Sequence, residues 1–271
     1  RFPKTVQEVK DLCRHIVDYT EGDASPEKWA ISLDTETNTL FPHRDGLKLL
    51  CISVAWGFGK AAAIPLWHKD TPYNPVDVLP AVRELLSCTK PKIMHNAAYD
   101  LGWLLASGFT VRGRIIDTMV AAACIDENRF SYALNALGFD YLKEVKSEQG
   151  LKEAAQDFGV HAKKELWRLP AMFVGEYAEQ DAALTLKLWQ HFKAVLRKEE
   201  VESIFDLETE LLPVLVGITK RGIRFDRDRA TKLVGEMQDK EAQLVKVIRK
   251  ACGSPVDIWA AASIAIGFDK L

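Results

Sequence analysis

Three apolar stretches, residues 29–34, 48–56 and 60–66, follow one another through connections that contain Gly46 and then Gly57-Phe58-Gly59. Short apolar runs bounded by glycine turns read as strands, and links of this kind predict antiparallel neighbours. Whatever fold forms must accommodate that three-strand meander. An amphipathic helix over residues 4–19 precedes it, with Val6, Val9, Leu12, Cys13, Ile16 and Val17 on one stripe. Behind the meander the pattern predicts a helix over 75–87, a short strand over 92–95 and a helix ending at Gly108. From Ile116 to about Arg197 it turns mostly helical, with starts at Asp117 and Ser131 and a long last helix over 172–197. Strands first and helices later predict an α/β fold, a mixed sheet covered by helices.

A second unit is expected from residue 202 onward. Leu207, Leu211, Leu212, Leu215 and Ile218 share one helical face, and Gly222 follows Lys220-Arg221 as a stop. Asp226 suits the cap of a further helix running to about Gly253, with Leu233, Met237, Leu244 and Ile248 facing inward. Two helices cannot enclose a core alone, so this all-helical fragment reads as the opening of another domain. The expected domains are 1–201 and 202–271. The chain opens on Arg1 and not on Met, which reads as a piece of something longer.

Composition excludes several classes. No apolar run approaches the roughly 18 residues of a membrane span, and Arg1-Phe2-Pro3-Lys4 does not open a signal peptide. Cys13, Cys51, Cys88, Cys124 and Cys252 are scattered without a C-x-x-C pair, which argues against a disulfide framework or a zinc site. Reduced thiols and a cytoplasmic location are expected. The net charge is −2, whereas proteins that grip duplex DNA through its phosphates are generally basic. A nucleic-acid substrate here calls for local contacts or bound cations.

Three acidic patterns carry chemistry. Asp34-Thr35-Glu36 closes the first strand, where side chains at i and i+2 share a face. Paired carboxylates resist joint ionisation, and a hard divalent cation such as Mg²⁺ removes that penalty. Asn96-Ala97-Ala98-Tyr99-Asp100 follows the short strand, with Asn96 placed to cap a helix that holds Asp100 in its first turn. Tyr177-Ala178-Glu179-Gln180-Asp181 lies inside the long helix, so its phenol and last carboxylate stack one turn apart. Taken singly, the first two patterns are more simply read as an acidic strand end and a helix cap, and the third does not exclude a core tyrosine beside a surface acid.

Taken in order, the three resemble the DEDD superfamily of 3′–5′ exonucleases. Tyr177 marks the DEDDy branch, since the DEDDh branch carries His five residues before its last acid, where Glu176 stands here. Leu33 to Thr37 with Leu40, His95-Asn96 with Tyr99-Asp100, Asp117-Thr118-Met119, Ser131-Tyr132-Ala133-Leu134 and Tyr177 to Ala182 with Thr185-Leu186 look like the proofreading domain of family A DNA polymerases, in a phage or bacterial style. Glu210 to Leu215 and Lys220 to Asp226 resemble the start of that polymerase's thumb.

The resemblance implies a ribonuclease H-like mixed β-sheet flanked by helices, followed by a small all-helical fragment. It implies two Mg²⁺ or Mn²⁺ ions about 4 Å apart, with Asp34, Glu36 and Asp181 around the ion that carries the attacking water. Asp34 and Asp100 would hold the second ion, Asp100 through water. Tyr177 would position the attacking water, with Glu36 assisting, because a phenol with a pKa near 10 is a poor base at neutral pH. The implied substrate is a single-stranded DNA 3′ end, released as nucleoside 5′-monophosphates. Thr35, Leu40, His95, Asn96 and Tyr99 are the implied substrate-binding positions, with Phe41 added by proximity. Lys163, Lys164 and Arg168 form a basic stretch suited to phosphates, although such runs are mostly solvated faces. A monomer is expected, with the polymerase palm and fingers as missing partners and no membrane. The rival readings are an exoribonuclease of the same superfamily and a non-catalytic DNA-binding scaffold; the presence of all five residues speaks against the second.

Overall fold

Strand β1 (Ile31–Thr37) lies at the centre of a five-stranded sheet. On one side of it are β2 (Leu49–Gly57) and β3 (Lys60–Pro65), and on the other β4 (Lys92–Met94) and β5 (Ile115–Asp117). The computed structural model describes residues 2–19, 29–42, 46, 48–162 and 164–269. The expected meander forms: β1–β2 and β2–β3 pair antiparallel, while β1–β4 and β4–β5 pair parallel, which makes the sheet mixed. β5 escapes the sequence reading, because three buried residues are too few to display a period of two.

Helices α1 (Val6–Asp18), α2 (Pro75–Ser87) and α3 (Ala97–Ala106) share one apolar cluster with Ile31, Leu33, Ile52 and Val54 of the sheet. The opposite cluster gathers α4 (Thr118–Ile125) and α5 (Leu134–Leu137) with the long helix α7 (Ala171–Lys198). Between them in sequence, α6 (Gln149–Asp157) packs Leu151, Ala154 and Ala155 with Leu50, Leu169 and Val174. With helices on both faces, all nine residues of β2 are buried. The period-2 alternation of β1 then decides the site. Ile31 and Leu33 take the α1–α3 side, which turns Ser32, Asp34 and Glu36 toward α7.

The chain divides into two compact units, Arg1–Arg221 and Gly222–Leu271. This boundary does not coincide with the division expected at residue 202, because helix α8 (Glu202–Arg221) packs on α3, α4 and β5. The face it buries is also rotated from the expected one. Phe205, Thr209, Leu212 and Val216 are buried, with Phe205 stacked on Trp189 at 5.4 Å between centroids. Leu207, Leu211, Leu215 and Ile218 remain exposed. In the second unit, α9 (Arg227–Cys252) starts at Asp226, whose carboxylate accepts from the Arg229 amide at 2.9 Å, and stops at Gly253 in the left-handed region. The expected inward residues Leu233, Met237, Leu244 and Ile248 are exposed there. Helix α10 (Ala261–Phe268) completes the described chain.

Candidate active site

The C-terminal end of β1, the N-terminus of α3 and the middle of α7 meet at one place. Asp34, Glu36 and Asp181 each offer a carboxylate oxygen within 4.8 Å of the others, and Asp181 is buried. Asp100 is buried in the first turn of α3 and joins β1 through Thr35, its Oδ1 accepting from the Thr35 amide at 2.9 Å and the Thr35 hydroxyl at 2.6 Å. Alternation explains this arrangement: Thr35 points to α3 while its neighbours point to α7. Of the expected substrate-binding residues, Thr35 therefore spends its hydroxyl on Asp100.

The first turn of α3 is not held by Asn96. That residue adopts a left-handed conformation (φ 63°) and makes no side-chain cap. The cap comes from Asp117 at the end of β5, whose carboxylate accepts from the Asn96, Ala97 and Met119 amides at 3.0, 2.7 and 2.8 Å. One acid thus organises the starts of α3 and α4 together. A cap supplied across the sheet from another strand leaves no local mark in the sequence.

The remaining expected residues are spread around this end of the sheet. Tyr99 Oη lies 2.5 Å from Thr37 Oγ1. His95 is half-buried, with Nδ1 2.9 Å from Thr118 Oγ1 and Nε2 3.0 Å from the Tyr132 carbonyl oxygen. Burial lowers its pKa. Leu40 and Phe41 are 73% and 52% exposed beyond β1. Lys164 is exposed, Arg168 pairs with Glu165 at 2.8 Å, and Lys163 lies outside the described residues.

Sequence reasoning missed Lys146, on the connection that leads into α6. Its ammonium donates to Tyr177 Oη at 2.5 Å and lies 2.5 Å and 2.6 Å from Asp181 Oδ1 and Oδ2. Nothing in Glu144-Val145-Lys146-Ser147-Glu148 singles out this lysine among the surface charges around it. The Tyr177–Asp181 motif itself contributes further anchors, with Gln180 Oε1 accepting from the Ser147 amide at 2.8 Å and Glu179 Oε1 from the Ala63 amide at 3.1 Å.

The electrostatics are those of crowded acids. Burial, then the neighbouring Asp181, Glu36 and Asp100 charges, push Asp34 well above the carboxylate range, with Lys146 pulling the other way. Burial and Asp181 raise Glu36 to about 8. Asp100 rises to about 7, again through burial, despite the Thr35 hydrogen bonds that favour its ionised form. Burial and Asp181 also raise Tyr177, which keeps the phenol protonated at neutral pH. Asp34 Oδ2 is sealed from solvent without a hydrogen-bond partner. An orphaned carboxylate oxygen beside two more acids, all of them hard oxygen donors, fits a divalent cation. Asp34, Glu36 and Asp181 would be the residues to hold it.

A mixed sheet of this order, with carboxylates converging from its central strand and a covering helix, defines a metal-dependent nuclease of the ribonuclease H-like fold. The chain belongs to the 3′–5′ exonuclease family, which it matches over residues 1–197. It is 31% identical over 227 residues to a DNA-directed DNA polymerase of Pseudomonas phage M6, covering 81% of this chain and 34% of that protein. The chain thus spans about a third of the length of that relative. Among solved structures, the POL domain of Pol1 from M. smegmatis superimposes with a TM-score of 0.71 at 16% identity, over 100% of this chain and 41% of that one. Escherichia coli RNase D, an exoribonuclease, superimposes at 0.58 and 17% identity over 80% of this chain and 50% of its own. Among the described residues, no helix is long and apolar enough to cross a membrane.

Proposed function

We infer that this chain removes nucleotides from single-stranded or frayed DNA 3′ ends as nucleoside 5′-monophosphates, proofreading for a family A DNA polymerase. The observation that carries the inference is the convergence of Asp34, Glu36 and Asp181 within 4.8 Å, with Asp100 locked beside them by Thr35, in a chain whose residues 1–197 match the exonuclease family. Two Mg²⁺ or Mn²⁺ ions, when bound, would stabilise charge on the attacking and leaving oxygens of the phosphate. The protein's own groups supply the remainder. Tyr177, protonated and held by Lys146, fixes the attacking water through its hydroxyl. Glu36, beside Tyr177, assists in orienting that water for attack. Exposed Leu40 and Phe41 offer apolar surface against which terminal bases stack. Asn96 and Tyr99, just before Asp100 in the chain, and His95, held by Thr118 and the Tyr132 carbonyl, are the further positions offered to the terminal nucleotides. A cytoplasmic monomer working with polymerase palm and fingers completes the reading.

Matched DNA and RNA oligonucleotides with single-stranded 3′ ends, digested with Mg²⁺ present, test the substrate. DNA is expected to be trimmed faster. Faster trimming of RNA would transfer the site to the exoribonuclease reading that the RNase D-like fold also accommodates. Tyr177→Phe is expected to slow trimming roughly 10²-fold, the low end of the range for one positioned acid–base group. Its Mn²⁺ affinity should stay within a few-fold of the parent; loss of metal binding in this variant would contradict a positioning role.

A further inference from the structure

The mechanism above uses Lys146 only as a support for Tyr177, yet its position is unusual. Its side chain is 8% exposed, and the Asp181 side chain 9%. A buried ammonium is costly unless it is paired and fully hydrogen-bonded, and here both oxygens of one carboxylate and a phenol satisfy it. The ammonium also lies 4.0 Å from the centre of the Tyr177 ring. The segment that carries it is tied to α7 on both sides. Lys187 Nζ meets Glu144 Oε2 at 2.5 Å, and the Ser147 amide donates to Gln180 at 2.8 Å. The backbone is therefore fixed, and only the four-carbon stem has to turn for the ammonium to leave Asp181. Asp181 is one of the three acids that converge. Its oxygens cannot receive a divalent cation at about 2.1 Å while an ammonium stays in hydrogen-bond contact with both, since the two cations would repel at close range.

We propose that Lys146 is an exchangeable counter-ion of the metal site, a positioning residue that holds Asp181 and Tyr177 in register and yields Asp181 to an incoming divalent cation. The proposal rests on reading the carboxylates as a metal site. Its ammonium neutralises part of the acidic crowd, so the acids converge without a metal, and a cation that takes Asp181 as a ligand must first displace it. Metal affinity is accordingly set below what the carboxylates alone would give.

The test is titration of the intact chain with Mn²⁺ alone, without DNA, followed by electron paramagnetic resonance. Lys146→Met keeps the stem and removes the charge, and should bind Mn²⁺ about tenfold more tightly. Lys187→Met removes a charge of the same sign from α7, where it pairs with Glu144, and should change affinity less than threefold. Lys146→Arg should weaken Mn²⁺ binding, because the guanidinium grips a carboxylate through two parallel hydrogen bonds; this variant decides the matter if the Met variant fails to fold. Unchanged or weaker binding in a folded Lys146→Met variant overturns the proposal, as does unchanged or tighter binding in Lys146→Arg. Equal tightening in Lys187→Met also overturns it, by showing a general field in place of exchange. Absence of Mn²⁺ binding in every form, the parent included, would instead remove the metal site on which the proposal depends.

Discussion

Replacing Asp34 by alanine is expected to reduce Mg²⁺-dependent trimming of single-stranded DNA by at least about 10³-fold, the upper range for loss of one fixed electrostatic stabiliser. Asp181→Ala should be equally inactive. The structure separates the two in stability. Asp34 Oδ2 accepts no hydrogen bond, and its neighbours repel it, so Asp34→Ala should fold at least as stably as the parent when metal is chelated. Asp181→Ala strips the buried Lys146 ammonium of its carboxylate, and breaking a buried pair in this way costs about 3 kcal/mol. Asp181→Asn, which keeps an oxygen for the lysine, is the better inactive control. Urea denaturation in EDTA, alongside a gel assay of 3′ trimming, reads both properties. Residual activity above a tenth of the parent in either alanine variant would show that the acids had been misassigned.

The second large effect is on stability against pH. Glu36 and Asp100 hold their protons up to about 8 and about 7 in the folded chain, against ordinary values of 4.5 and 3.8. For acids raised in this way, the stabilising contribution is fully present below the unfolded pKa and is lost as pH climbs through the folded pKa. With metal chelated, unfolding should therefore become easier between pH 5 and pH 8, by about 4 kcal/mol from Glu36 alone at about 1.4 kcal/mol per unit. Saturating Mg²⁺ should flatten the slope across this range, because the bound ion favours the ionised acids and pulls their pKa values below those of the unfolded chain, so both states are ionised from pH 5 upward. Glu36→Gln should flatten the EDTA curve, isolating its share from other titrations. A chelated protein whose stability stays level or rises across that range, with the same profile in Mg²⁺, would refute this account of the acids.

Much of this site is legible in the chain because its geometry is local. Asp34 and Glu36 share a face through the strand period, and Tyr177 and Asp181 through the helix period. Those relations survive whatever the rest of the fold does. The meander is legible for the same reason, since glycine turns set its pairing. Asp100 is half-legible: its place near the start of a helix can be read, but the acid capping that helix is Asp117 on a different strand, and not the adjacent Asn96. The buried face of α8 shows the limit on apolar patterns. Periodicity pointed to the stripe through Leu207, Leu211 and Leu215, and contact with α3, α4 and β5 selected instead the one through Phe205, Leu212 and Val216.

Residue types and their short-range spacing established the α/β class, the acidic patterns and the helix carrying the tyrosine. Packing established which face of β1 looks at α7, and that Thr35 serves Asp100. It also delivers Lys146 onto Asp181 from a segment 35 residues away. The difference is physical. Periodicity orients side chains relative to their own backbone, whereas the meeting of distant charges depends on how elements stack and on which charges can bear burial only in each other's company.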